Sequence, residues 1–265
     1  MRRFLTALAL LTAACSGQGS ALAPSSTAPD LTSSTTSTTI GYPDEIVDAP
    51  ETRPLFRGFT TETIPDTMTL VARAEGEVAV FDSPDAPEPF VIVPAQTILG
   101  TTTVFAVVQG PIEGWAEVML PVRPNDVTGW VDTSELSLYV VDGKLVVDLS
   151  ERSLTYFEDG EEVVETTVAI GTDRNPTPTG SFYVTDNVTL ADPNSPWGPH
   201  AFGLSARSDT ITEYNGGDGI IGIHGTNRPS SIGQAASLGC IRLPNDVITR
   251  LHELVAIGTP VEIVA

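Results

Sequence analysis

The chain of 265 residues holds two cysteines, Cys15 and Cys240, and three histidines, His200, His224 and His252. Cys240 lies in Ser237-Leu238-Gly239-Cys240-Ile241-Arg242, and His224 ends the apolar run Ile220-Ile221-Gly222-Ile223 directly before Gly225-Thr226, 240 − 224 = 16 residues upstream. A strand end holds a side chain more rigidly than a loop, and flanking glycines let a substrate backbone come close. A thiol and an imidazole so placed meet across a hairpin or between neighbouring strands. The chemistry of that pair is attack on a carbonyl. The thiolate is the nucleophile, and a free cysteine with a pKa of about 8.5 is only slightly ionised near neutrality. The imidazole either takes the proton during attack or holds a thiolate–imidazolium pair beforehand, then returns a proton to the departing amine. Backbone N–H groups at Gly239 and Cys240 are candidates for stabilising the oxyanion. As an enzyme the chain is expected to carry a low-pKa, readily acylated thiol.

Other chemistries fit the sequence poorly. Three scattered histidines and one cysteine outside the N-terminal leader do not make metal-ligand spacing, so no metal site is expected. No Gly-x-Ser-x-Gly elbow and no glycine-rich phosphate loop follows a strand, and no cofactor is implied. Thirteen Lys and Arg against thirty-four Asp and Glu, a net charge of −21, exclude the basic footprint of a nucleic-acid binder.

The elements that must position the pair are mostly β. Apolar runs at 145–149, 154–157 and 163–170 surround Glu158-Asp159-Gly160, and an Asp-Gly turn between such runs signals a hairpin. Pro176-Thr177-Pro178-Thr179-Gly180 breaks the chain before a strand at 181–185. The Gly- and Pro-containing stretch 186–218 is expected as a long loop, a binding lid or a surface insertion, with Trp197 and Tyr214 lining a groove. Val247, Ile248, Leu251, Leu254 and Val255 fall on one helical face, with Asn245 and Asp246 as caps and a closing strand at 261–264. His252, beside that stripe, reads as a surface or boundary residue. Upstream, short β runs between 69 and 131 suggest a small barrel or sandwich, with Trp115 and Trp130 as core aromatics.

Two resemblances add to this reading. Pro178-Thr179-Gly180, His224-Gly225-Thr226 and Ser237-x-Gly239-Cys240-Ile241-Arg242, in that order, resemble the L,D-transpeptidase catalytic domain, also called the YkuD domain. The resemblance implies a mostly β catalytic domain over 139–265 with a short C-terminal helix. In it Cys240 attacks the peptide bond after the third residue of a peptidoglycan tetrapeptide stem, D-alanine leaves, and a neighbouring stem amine resolves the acyl-enzyme into a 3-to-3 crosslink. His224 is then the base, the carbonyl of Gly225 orients it, and Arg242 lies near the substrate, where a guanidinium suits a carboxylate. Ser237 and Trp197 complete the expected substrate contacts. Leu238 departs from the family pattern, which has histidine there. Gly114-Trp115-Ala116-Glu117-Val118 and Gly129-Trp130-Val131 resemble bacterial SH3-like modules, which implies such a module over 67–138.

Residues 1–15 read as an export leader: Arg2-Arg3, an apolar run and small residues before Cys15. Cys15 is the expected lipidation site, with cleavage after Ala23 as the competing outcome, and 16–66 read as a Ser/Thr/Pro-rich tether. The expected location is extracytoplasmic, in the cell envelope, with membrane contact only through a lipid on Cys15. Two other functions compete: a wall-binding lipoprotein without turnover, and an enzyme whose thioester is resolved by water or a protein amine.

Overall fold

The computed structural model describes residues 46–47, 60–214 and 217–265. Cys15, the leader and all of the tether except 46–47 and 60–66 lie outside the described residues. The chain is mostly β, with one α-helix among the described residues.

Near the N-terminus β1 (Ile46–Val47) pairs with a strand of the second sheet described below. The first sheet is built from β2 (Thr69–Ala74), β5 (Val104–Ile112), β6 (Trp115–Met119), β7 (Thr128–Asp132) and β8 (Leu136–Val141), in the order β7-β6-β5-β2-β8. The hairpin of β3 (Val78–Val80) and β4 (Val91–Val93) joins it through a bridge between Phe81 and Trp130. Alternation along β3, β6 and β7 sends Val78, Val80, Ala116, Val118 and Val131 into a core around Phe105. The expected core tryptophans are not that core. Trp115 and Trp130 are only half-buried, and Trp115 meets Phe81 edge to face at 5.4 Å. Their ring size suits the rim of so small a sheet, whose centre is filled by Val, Ala, Leu and Phe105. Strand β8 runs to Val141, across the expected 138/139 boundary.

The second sheet comprises β9 (Gly143–Asp148), β10 (Ser153–Glu158), β11 (Glu161–Thr167), β13 (Gly180–Leu190), β14 (His200–Arg207), β15 (Ile220–His224), β17 (Ile241–Arg242) and β18 (Pro260–Val264). Its order is β11-β10-β9-β18-β13-β14-β15-β17. A small parallel pair, β12 (Ile170–Gly171) and β16 (Ala235–Ser237), lies beside it. The predicted hairpin is present: β10 and β11 pair antiparallel, and Asp159 and Gly160 both take positive φ, 51° and 82°, as its two-residue turn requires.

Two expectations need correction here. The stretch 186–218 is not one loop: β13 extends to Leu190 and β14 occupies 200–207, so two strand segments separate the shorter connections that follow them. β14 is buried on both faces, so it lacks the alternation that marks a half-exposed strand. The helix α1 (Asn245–Leu254) has Pro244 at its N-cap, and no side chain caps it. Asn245 is used elsewhere, as described below. Ile248, Leu251 and Val255 do pack into the core of the second sheet, with Val247 and Leu254 at its edge.

His252 is partly buried, as expected of a boundary residue. Its ring stacks on His200 at 4.0 Å, and Nδ1 pairs with Asn187 Oδ1 at 2.5 Å.

Candidate active site

β15 and β17 run parallel, with Ile223 opposite Ile241 and His224 opposite Arg242. Cys240, just before β17, therefore sits level with Gly222, whose N–H donates to Sγ at 3.4 Å. His224 is two residues further along β15, on the same face as Gly222. Cys240, His224 and Arg242 all line one cavity.

The imidazole is held in one tautomer. Nδ1 lies 2.6 Å from the carbonyl oxygen of Gly225, and since a carbonyl has no proton to give, Nδ1 carries the hydrogen. Burial lowers the His224 pKa from 6.5 to about 4, aided by the nearby Arg242 charge and opposed by backbone hydrogen bonds at Gly225 and Trp197. A neutral ring with its hydrogen on Nδ1 leaves Nε2 as the basic nitrogen. Gly225 must be glycine: a Cβ there would sit 2.5 Å from Asn245 Oδ1 and 3.0 Å from Pro199 Cδ. Asn245 Oδ1 accepts the N–H of Thr226 at 2.7 Å, so the first residue of α1 fixes the turn after His224.

The thiol does not meet the low-pKa expectation. Burial pushes the Cys240 pKa up, and the Gly222 hydrogen bond and the Arg242 charge only partly offset it. Both groups therefore rest neutral near pH 7. Of the two routes open from the sequence, this favours proton transfer to His224 during attack over a preformed ion pair.

The turn carrying Cys240 is tied from two sides. Ser237 Oγ donates to the Cys240 carbonyl at 2.6 Å and accepts the Gly239 N–H at 3.1 Å. This corrects two expectations: Ser237 is buried and spends its hydroxyl on the turn rather than on substrate, and the Gly239 N–H is already engaged and is no free oxyanion donor. Gly239 contributes through its backbone, at φ 119°, a conformation L side chains rarely adopt. Its carbonyl accepts from Thr177 Oγ1 at 2.8 Å, and the same hydroxyl accepts the Gly171 N–H. Sequence reasoning passed over Thr177 because its partner is 62 residues away.

The remaining walls are mainly apolar. Trp197 packs over His224, its ring centroid 4.5 Å from that of the imidazole and tilted by 49°. Tyr214, Ile211, Leu190 and Leu238 also line the cavity, and Leu99 reaches it from the first sheet. Leu238 is half exposed at the rim. Arg242 is the cation of this wall, and its Nε is buried with no hydrogen-bond partner. Among the described residues no cluster of three or more His, Cys, Asp or Glu could hold a metal, and no helix is long and apolar enough to cross a membrane.

A buried imidazole in a fixed tautomer and the Cys240 thiol thus line one cavity of a mostly β sheet, an arrangement suited to thiol chemistry on a carbonyl. Residues 142–263 match the family model of the YkuD L,D-transpeptidase catalytic domain. The chain is similar to the YkuD protein of Bacillus subtilis (strain 168), 32% identical over 125 residues that make up 47% of this chain and 68% of that protein. It is 33% identical over 131 residues to YqjB of the same organism, covering 45% of this chain and 70% of YqjB. Among solved structures, Bd1075 of Bdellovibrio bacteriovorus is 26% identical, with a TM-score of 0.37. That match covers 46% of this chain and about half, 47%, of Bd1075. The chain belongs to the YkuD L,D-transpeptidase family.

Proposed function

We propose that the chain is a cell-envelope L,D-transpeptidase that makes 3-to-3 peptidoglycan crosslinks. The observation that carries this reading is the opening of Cys240, His224 and Arg242 onto one largely apolar cavity within the family's catalytic domain. Sγ attacks the carbonyl of the third stem residue, in the peptide bond to D-alanine, as its proton passes to His224 Nε2. The C–N bond breaks, and D-alanine leaves with that proton on its amine. The amine of a second stem then attacks the thioester, gives a proton to His224, and Cys240 recovers its own. The Cys240 N–H, one of the two amides first considered, is the candidate oxyanion donor left once Ser237 has taken that of Gly239. Arg242 pairs with a stem carboxylate.

Export follows from the leader at 1–15, anchoring from lipidation of Cys15, and residues 67–138 are the SH3-like module of the sequence reading. The test is product analysis by mass spectrometry on the full chain with diaminopimelate-containing tetrapeptide stems. Release of D-alanine together with a 3-to-3 dimer is expected. D-Alanine without dimer would replace the acceptor with water or a protein amine, and bound stems without product would turn the reading into wall binding alone.

A further inference from the structure

The N-terminal sheet touches the cavity wall directly. Arg123, in the loop between β6 and β7, points its guanidinium at three backbone carbonyls of the connection after β14: Ser208 at 2.5 Å from Nη1, and Ile211 at 2.8 Å and Asp218 at 2.5 Å from Nη2. Asn125 pairs twice with the backbone of Arg207, its amide donating to the carbonyl and its Oδ1 accepting the N–H, both at 2.8 Å. Arg207 answers with Nη2 on the carbonyl of Pro121 and Nε on Asp218 at 2.7 Å. Ser208, Ile211, Tyr214 and Gly219, all on the gripped connection, line the cavity that holds Cys240. Leu99, from the loop between β4 and β5, lines it as well, beside Thr97, whose hydroxyl bonds the buried Asp186 carboxylate of β13 at 2.5 Å.

We propose that the N-terminal β unit is part of the substrate site, with Arg123 as the positioning residue that sets the 208–219 wall of the cavity. This goes beyond the SH3-like resemblance of that unit, and its kinetic consequence rests on the function proposed above. The physical case is that three carbonyls on one connection share one charged, planar donor. Chain ends pinned this way hold the side chains between them within the tolerance that a bound peptide needs, where a displacement of about 1 Å is costly. Arg123 itself stands behind the wall, so its removal should weaken binding of the stem more than the chemistry at Cys240.

The experiment compares Arg123→Ala, Arg123→Lys and the exposed control Arg73→Ala in the full chain. Hydrogen exchange is measured by mass spectrometry, and KM and kcat are measured with tetrapeptide stems. Arg123→Ala is expected to speed amide exchange in residues 207–214 by about tenfold while 235–242 keep the wild-type rates. KM should rise about tenfold with kcat within about threefold. Lysine offers one ammonium in place of a fork, so Arg123→Lys should fall between, and Arg73→Ala should match wild type. Unchanged exchange and KM in Arg123→Ala would overturn the proposal. So would equal acceleration across 235–242 in both Arg123 variants, which would make Arg123 a general stabiliser. If the wild type turns over no stem, the function reading falls, and the exchange contrast still decides whether Arg123 holds the wall.

Discussion

Replacing His224 by Gln should slow acylation of Cys240 by about a thousandfold, within the range that a positioned general base supplies. The size follows from the resting state. With the thiol pKa raised by burial, little thiolate exists near neutrality, so nearly every productive attack must hand its proton to Nε2. Glutamine can still donate to the Gly225 carbonyl through its amide but offers no comparable base. The pH dependence has a definite sign. His224 titrates at about 4 in the folded protein, so kcat/KM for acylation should rise through that acid limb and stay level across neutrality. A rate that instead climbed steadily above pH 8 would mean that preformed thiolate attacks without the imidazole.

The same titration acts on stability. The folded-state value of about 4 lies below the ordinary 6.5, so between the two the unfolded chain binds more protons. Stability attributable to this group is present above pH 6.5 and is lost as pH falls towards 4, a difference on the order of 3 kcal/mol. Chemical denaturation at pH 7 and pH 4.5 should show that component in the wild type and lack it in His224→Gln.

Gly225→Ala should be nearly as damaging to turnover, about a hundredfold, by a different route. Its methyl group would meet Asn245 Oδ1 at 2.5 Å and Gly198 Cα at 3.1 Å, so either the turn or the start of α1 must shift. Overpacking of this kind costs roughly 1–3 kcal/mol. The larger loss is in catalysis, because the displaced atom set includes the carbonyl that fixes the His224 tautomer. The expected signature is lower kcat with a folded protein by circular dichroism. Full activity in Gly225→Ala would mean that this carbonyl does not set the base.

Much of this site was legible locally. His224 at the end of an apolar run, Gly225 after it and Gly239-Cys240 carry their roles in short motifs, and the Asp159-Gly160 turn states its own geometry. What escaped the sequence depends on distant partners or on burial. Ser237 looks like a polar substrate contact until its hydroxyl is seen bridging Gly239 and Cys240. Asn245 looks like a helix cap, yet its oxygen serves Thr226, 19 residues away. The strand expected at 181–185 is the first half of β13, while β14 escaped in a Gly- and Pro-containing stretch because, buried on both faces, it shows no period-two pattern. The raised thiol pKa is likewise a property of the packed site, since the motif around Cys240 contains only a cation that would lower it.

Whether Cys240 is the nucleophile can be read from intact-protein mass spectrometry. Wild type and Cys240→Ala would be mixed with diaminopimelate-containing tetrapeptide stem and quenched in acid within seconds. An adduct of the stem less D-alanine is expected, mapped to Cys240 by peptide digestion and absent from Cys240→Ala. The same adduct in Cys240→Ala, or crosslinked product formed by that variant, would contradict that role for Cys240.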